Sequence, residues 1–491
     1  MGSNTVRCKL GDVATFRNGA GVKQDFFTTS NDGVNLAKVS NFTSDSIDLT
    51  DATKVDREHA QKWASHLLKS DDVLIATVGS WPPNWSSVVG KVVRAPKCSE
   101  GAIQNQNTCC VIPNEAIDQS YLYYLLKTRQ FSEWIVNVAQ GSANQARVPV
   151  KKIGDFEFEL PPIDIQRGVA STLRNLDNKI TLNRQINQTL EQMAQTLFKS
   201  WFVDFDPVMD NALDAGNPIP DELQHRAEVR KAVRESEGFK PLPEDVRQLF
   251  PDAFEESELG WVPKGWKVST YGEHMDFQNG FAFKSKELLD NDASAYPVFK
   301  MGHIKRGGGF NPQGTKSYFP IECVDKKIAK YFALKGDLLM SMTDMKSNMV
   351  ILGNTALMPV DNVFLQNQRV ARLRPKTSSH LNYSYLYFYS NEPQVVDELR
   401  SRANSGVQVN LTSGAIKDTL LLVPAMKAHA QFDATVRAYL EKSFSLDSET
   451  EMLMKLRDTL LPKLISGELR LDDIELAVEQ EAVSAEQQNE R

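Results

Sequence analysis

The sequence predicts an α+β chain built twice: two homologous mixed domains, each followed by a long helix, with the two helices pairing as an intramolecular antiparallel coiled coil. Three observations predict it. An ordered set of short signatures recurs 261 to 265 residues further along the chain. Each copy closes on an apolar, proline-flanked segment. Each then passes into a stretch whose apolar residues alternate at spacings of four and three, the period of a coiled-coil seam.

The first copy carries Gly11-Asp12 with Asn18-Gly19, then Leu36-Ala37-Lys38-Val39-Ser40, an apolar strand over 72–77, Gln104-Asn105-Gln106-Asn107, and Ser120-Tyr121-Leu122-Tyr123. The second answers in order with Gly272-Glu273 and Asn279-Gly280, Val298-Phe299-Lys300-Met301-Gly302, a strand over 337–342, Gln366-Asn367-Gln368-Arg369, and Ser384-Tyr385-Leu386-Tyr387. Chance would not keep both order and spacing. Between these points the copies diverge, as Ser80-Trp81-Pro82-Pro83-Asn84-Trp85 shows against Asp344-Met345-Lys346-Ser347-Asn348. One scaffold with two sets of loops suits one kind of task on two targets; the plainer alternative is a drifted duplication.

The closing strands, 156–160 before Pro161-Pro162 and 419–423 before Pro424, lead into the helices. The first seam reads Val169, Leu173, Leu176, Ile180, Asn183, Asn187, Leu190, Ala194, Leu197, Trp201, with the asparagines placed to fix register. The second, weaker seam reads Phe432, Val436, Tyr439, Ser443, Leu446, Thr450, Leu453, Arg457, Leu460, Leu464. A helix of about 40 residues is about 60 Å long at 1.5 Å per residue, against about 34 Å for a turn of duplex DNA. Pairing within one chain is expected because the duplication supplies both helices; a dimer between chains is the alternative. The domain plan is therefore 1–160, first domain; 161–205, first helix; 206–264, acidic proline-bearing connector with helical stretches such as 221–235; 265–423, second domain; 424–471, second helix; and 472–491, an acidic disordered tail.

A length of 491 residues allows two or three domains with adequate cores. Residues 1–10 are polar and no apolar run approaches the roughly 20 residues of a membrane span, so a cytoplasmic location without membrane contact is expected. Cys8, Cys98, Cys109, Cys110 and Cys323 are odd in number and lack Cys-x-x-Cys spacing, which argues against a disulfide framework and a zinc site. The formal charge of -7 is concentrated: residues 204–258 hold 15 acids and 6 bases, and 472–491 hold 7 acids and 1 base, which leaves +8 on the repeats and helices. That remainder is compatible with phosphate contacts spread over two modules, and equally with an ordinary surface.

No catalytic set and no metal site is legible in the sequence. Residues 309–317 read Gly-x-x-x-x-Gly-Thr-Lys-Ser, near a phosphate loop, but between two expected strands rather than opening a helix. Gly19-Ala20-Gly21 lacks the third glycine of a dinucleotide fingerprint, and Pro82-Pro83-Asn84-Trp85 has the order of an adenine-methyltransferase motif wrong. No His-x-x-x-His pair occurs.

The domain–helix–domain–helix order, Leu160-Pro161-Pro162 with Gln166, Lys199-Ser200-Trp201-Phe202-Val203-Asp204-Phe205-Asp206-Pro207, Ser257-Glu258-Leu259-Gly260-Trp261-Val262-Pro263-Lys264-Gly265-Trp266, and Leu464-Ile465-Ser466-Gly467-Glu468-Leu469 together carry a resemblance over nearly the whole chain. The chain resembles the specificity subunit of a Type I restriction-modification enzyme. The second half departs from the pattern, with a single proline at 424 and the weaker seam. The resemblance implies two target recognition domains, each reading one half of a bipartite double-stranded DNA sequence, with the helices as a ruler for the unread spacer. It implies a non-catalytic subunit that docks two modification (methyltransferase) subunits, which methylate adenine, and through them restriction (motor-nuclease) subunits. No cofactor is expected on this chain; S-adenosylmethionine, ATP and Mg are expected on the partners.

Reading DNA requires Arg or Lys for guanine, Asn or Gln for adenine, and basic or polar groups for phosphate. The loops supply Arg17, Asn18, Lys23, Lys38, Ser40, Asn41, Trp81 and Asn84 in the first domain, and Asn279, Lys284, Lys300, His303, Lys305, Arg306, Lys346 and Asn348 in the second. His303-Ile304-Lys305-Arg306 stands before Gly307-Gly308-Gly309, where backbone could approach a phosphate. The Gln-Asn-Gln motifs occur at the same place in both copies; domains reading different sequences would not share discriminating residues, so these amides are assigned to the scaffold. Two other functions remain open: a methylation-only system, and a duplicated coiled-coil scaffold that never touches bases.

Overall fold

The first and last strands of each copy meet. Val6–Lys9 pairs antiparallel with Glu157–Leu160, and Lys267–Thr270 pairs likewise with Leu420–Val423. The structure, a computed structural model, describes residues 5–473 apart from 83, 85–87, 143–144, 292–293, 346–348, 405 and 407. Most of the acidic tail, residues 474–491, lies outside the described residues.

From its opening strand each domain makes a one-turn helix, Leu10–Val13 or Tyr271–His274, and enters a four-stranded antiparallel sheet. The first sheet runs Ala14–Asn18, Thr108–Pro113, Val73–Ala76, Val92–Arg94. The second runs Met275–Asn279, Val370–Pro375, Leu338–Ser341, Thr355–Leu357. The strands Val73–Ala76 and Leu338–Ser341 are buried at every residue, which is why the sequence shows continuous apolar runs there rather than alternation. A short parallel pairing joins Leu36–Ala37 to Ile103–Gln104, and its counterpart joins Val298–Phe299 to Leu365–Gln366. Here the paired Asn-Gly signatures acquire a reason. A Cβ on Gly19 would lie 1.9 Å from the Asn105 carbonyl oxygen, and one on Gly280 2.0 Å from that of Asn367. No side chain fits where the two backbones touch.

Two helices cover each sheet, Gln119–Leu126 with Arg129–Val138 and Tyr383–Ser390 with Pro393–Ser401. Their tyrosines, Tyr121, Tyr123 and Tyr124 against Tyr385, Tyr387 and Tyr389, are buried in the two cores. Burial of each such ring is worth about 2 kcal/mol.

The long helices span Ile163–Phe202 and Met426–Ser466. The chain divides into two compact units, residues 1–183 with 448–491 and residues 184–447, and each unit holds one domain with a share of both helices. In the first unit the helices run antiparallel. Asn183 Nδ2 donates to Glu449 Oε2 at 2.9 Å, and further along Arg457 donates to Asp177 at 2.9 Å. Val169, Leu173 and Leu464 are buried between them and the domain. Arg457, at a seam position where an apolar side chain is the usual occupant, also lies 3.7 Å from Asp45 of the domain, while Tyr124 donates its hydroxyl to Asp177 at 2.7 Å. In the second unit the pairing is again antiparallel: Asn187 donates to Asp447 at 2.6 Å, and Trp201 and Phe202 pack on Phe432 with ring centroids 6.2 and 4.9 Å apart. Every seam position of both helices is buried or half-buried.

The segment between the first helix and the second domain is folded. Phe205 takes a left-handed conformation (φ 57°), and the helix Asp206–Ala215 begins with Pro207 in its first turn. A second helix, Gln224–Arg234, packs on it, and the hairpin Phe254–Ser257 with Gly260–Pro263 follows. The excess acid is partly answered internally, because Arg230 grips Asp210 with two hydrogen bonds of 2.9 and 2.6 Å, and Asp214 receives both Arg234 and Arg247. Phe205, Phe250, Val262 and Trp266 join the core of the second unit. No described helix is long and apolar enough to cross a membrane.

Each helix is seated on its domain by one side chain of its first turn. Gln166 accepts the Asp118 N–H through Oε1 at 2.8 Å and donates to the carbonyls of Pro161 (2.8 Å) and Ala116 (3.1 Å). At the matching place His429 Nε2 accepts the Asn382 N–H at 3.2 Å. Burial, opposed by Asp433 and assisted by His380 and Arg437, pushes the His429 imidazole down to about 4. The unfolded imidazole titrates near 6.5, so the unfolded chain takes up this proton first. Stability from this site is complete above about pH 6.5 and falls as the pH drops toward 4. Replacement His429→Gln, which installs the residue of the first half, is expected to keep the cap and to reduce the loss of stability between pH 7.5 and pH 5, measured by urea unfolding at both values.

Candidate nucleic-acid interface

The candidate DNA-reading side chains fall into three groups. The first is held inside the fold. Arg17 donates Nε to Gln104 Oε1 and Nη2 to Asp72, both at 3.1 Å. Lys38 donates Nζ to Thr53 Oγ1 at 2.7 Å and lies over the Phe27 ring, and its counterpart Lys300 donates to Ser317 Oγ at 2.8 Å. Asn41 Oδ1 accepts the Lys38 N–H at 3.0 Å, while His303 Nδ1 accepts the Lys300 N–H at 3.1 Å. His303 is 4% exposed and stacks on Phe299 at 5.1 Å; burial lowers its imidazole below the ordinary value, so it is neutral at pH 7. Asparagine and histidine thus do the same capping work at one place in the two copies.

The second group faces outward. Asn18 and Asn279 stand exposed at the ends of matching strands, and Asn84 is exposed on the divergent loop of the first domain. Trp81 beside it is half-buried, with Nε1 donating to the Ser142 carbonyl at 2.8 Å. In the second domain Lys284 is exposed, 3.7 Å from Glu287. Lys305 and Arg306 are exposed on a loop closed by the Lys305 N–H donating to the Gly309 carbonyl at 2.9 Å. Gly307, Gly308 and Gly309 all have positive φ, 79°, 102° and 103°, and a Cβ on Gly308 would meet Asn391 at 2.4 Å. These glycines serve the turn itself. Arg306 and Gly307 line one cleft with Met349 and Val350, the residues that follow 346–348 in the chain. The third group, Lys346 and Asn348, lies outside the described residues. Of the two remaining loop residues, Lys23 and Ser40, both are exposed.

The Gln-Asn-Gln motifs are scaffold. Gln104 is fully buried and donates to the carbonyls of Arg17 and Thr108, each at 3.1 Å; Gln366, equally buried, donates to those of Gln278 (2.9 Å) and Val370 (2.8 Å). Both amides close the mouth between the same two strands. The phosphate-loop lookalike at 309–317 opens no helix, and its Ser317 receives Lys300. Among the described residues no group of three or more His, Cys, Asp or Glu is placed to hold a metal ion. Two exposed strand residues that sequence reasoning passed over, Gln145 and Arg147, stand on a strand pairing with Gln140–Ser142 beside Trp81. A three-residue strand within a polar stretch leaves no periodicity to detect.

A family model described as the Type I restriction modification DNA specificity domain matches residues 3–192 and 263–437, once per copy and over more than half of the chain. The chain belongs to this family. Among the similar proteins, the Type I restriction enzyme MjaIX specificity subunit of Methanocaldococcus jannaschii is 24% identical over 376 residues, covering 75% of this chain and 73% of that protein. The HindI specificity subunit of Haemophilus influenzae is 25% identical over 381 residues, covering 71% and 77%. A crystal structure of the S subunit of a Type-I restriction-modification system from M. genitalium superimposes with a TM-score of 0.53 at 14% identity, over 94% of this chain and 96% of that one, and shows the same fold. The protein is a Type I specificity subunit, with two recognition domains and two long helices, of a family that carries specificity rather than catalysis.

Because the Gln104 amide is internal, Gln104→Leu removes one hydrogen bond from each of the Arg17 and Thr108 carbonyls and one from Arg17 Nε. A loss of about 2 kcal/mol is expected, read as a thermal midpoint lowered by about 4–8 °C, with no change in the DNA sequence recognised at permissive temperature.

Proposed function

We propose that this specificity subunit binds a bipartite, asymmetric double-stranded DNA target, one half per recognition domain. In this reading it directs two modification subunits carrying S-adenosylmethionine to adenines within that target, and through them restriction subunits that use ATP and Mg. The observation that carries the proposal is the division between shared and divergent parts of the two domains. The positions common to both, Gln104 and Gln366, Lys38 and Lys300, Asn41 and His303, are engaged in the fold. What is left to differ between two readers is the exposed loops, and specificity must come from what differs.

Within those loops Asn84 suits an adenine edge, and Lys284, Lys305 and Arg306 suit guanine or phosphate; Asn18 and Asn279, the same residue at the ends of matching strands, suit a contact that both half-sites share. Lys346 and Asn348 belong to the same proposal on their residue types. The paired helices are assigned the spacing between half-sites, and the two-copy plan matches two modification subunits.

Exchange of residues 1–155 for the equivalent domain of a different specificity subunit tests this. One half of the methylated sequence is expected to change, with the other half and the spacer kept. Alteration of both halves would contradict one-domain, one-half reading.

A further inference from the structure

Each recognition domain presents, at matching places on a short strand, an exposed glutamine whose side chain makes no hydrogen bond to another described residue. In the first domain Gln145–Arg147 forms a short strand between Gln140–Ser142 and Val78–Gly79. In the second Gln408–Asn410 pairs with Thr343–Met345. Ala146 and Val409 are the buried central residues of these strands, which turns Gln145 with Arg147, and Gln408 with Asn410, to the opposite face. Gln145 and Gln408 are both exposed, and neither side chain hydrogen-bonds to another described residue. Their separation of 263 residues is that of the repeat. They are the reverse of Gln104 and Gln366, whose amides are buried and bonded.

Each of these glutamines adjoins a loop in which the two copies differ. Ser142, the register partner of Gln145, accepts the Trp81 indole N–H. Met345, the register partner of Gln408, leads directly into residues 346–348. A constant amide therefore stands beside a variable loop in both domains. A residue that is the same on two domains reading different sequences cannot supply the difference between them; it must take a group that both half-sites share. On duplex DNA that group is the sugar-phosphate backbone, whose contacts fix position without carrying sequence. Arg147, exposed on the same face as Gln145, adds a cation in the first domain.

We propose that Gln145 and Gln408 are equivalent phosphate contacts that set the register of each recognition domain on duplex DNA, against which the adjoining loop reads bases. This rests on the proposal that both domains bind DNA.

The test uses the full chain assembled with its modification subunit, a duplex carrying the methylated sequence of the wild-type complex, and the variants Gln145→Ala, Gln408→Ala and Gln145→Glu. Each alanine is expected to weaken binding about fivefold, the scale of one hydrogen bond, with every letter of the methylated motif unchanged. The glutamate, which sets a negative charge against phosphate, is expected to weaken binding further, the more so at low salt. Unchanged affinity in all three variants would overturn the proposal. So would a motif that becomes degenerate at one position, which would make the amide a base reader, or loss of the modification subunit on purification, which would make it a partner contact. Equal unfolding midpoints for wild type and variants establish that the fold is kept. A wild-type complex that methylates no two-part motif would instead defeat the reading on which the proposal rests.

Discussion

The pairing of the first strand of each domain with its last is the constraint on which the rest depends. Val6–Lys9 against Glu157–Leu160, and Lys267–Thr270 against Leu420–Val423, bring the chain back to its starting edge before releasing it into a long helix. Prolines follow at once, at 161, 162 and 424, where the ladder must stop. Gln166 and His429 then tie the first helical turn to the domain just left. Each helix carries an apolar seam that water cannot be allowed to cover, and within each unit it finds its partner in a segment distant in sequence: residues 163–183 with 448–466 in one, 184–202 with 426–447 in the other. Three polar side chains of the seam, Asn183, Asn187 and Arg457, meet specific acids, which fixes the register that apolar contact alone would leave loose.

Duplication shows which demands belong to the scaffold. The cap of the short turn after the Lys38 and Lys300 strands is met by asparagine in one copy and histidine in the other. The seat of the long helix is met by glutamine and by histidine. The lysine on the first of these turns finds threonine once and serine once. Where the two copies solve a problem with different residues, the problem is structural, and its solution carries no message about the target. What remains for recognition is the exposed loop surface, anchored by positions that drift cannot alter, such as Gly19 and Gly280 under a touching backbone.

The repeat, the buried central strands, the closing strands and both long helices were legible in the sequence, because order, spacing and the four-three seam are local or periodic signals. Within residues 206–264 a helix over 221–235 was legible, and Asp221–Leu223 with Gln224–Arg234 is found there, but the packing of this segment was not. Its helices are held by Arg230 on Asp210 and by Arg234 and Arg247 on Asp214, and an acidic, proline-bearing stretch gives no hint of which charges will pair. Among the candidate contacts, Arg17, Lys38, Asn41, Lys300 and His303 have the chemistry of DNA readers but use it internally. Their partners, Gln104 for Arg17 or Ser317 for Lys300, lie 87 and 17 residues away. Donor and acceptor chemistry is the same whether it faces a base or a carbonyl, and only burial separates the two. Asn18, Asn84, Asn279, Lys284, Lys305 and Arg306 keep the exposure a contact requires.

Specificity residing in this chain, and in two separate halves of it, is tested most directly by a long-read methylation map of DNA from cells that express it with its modification subunit, beside cells that express the modification subunit alone. The expected result is a new adenine-methylated motif in two unlike parts separated by a fixed unread gap, present only with this chain. Absence of any motif, although the two subunits co-purify as an active complex, would contradict it.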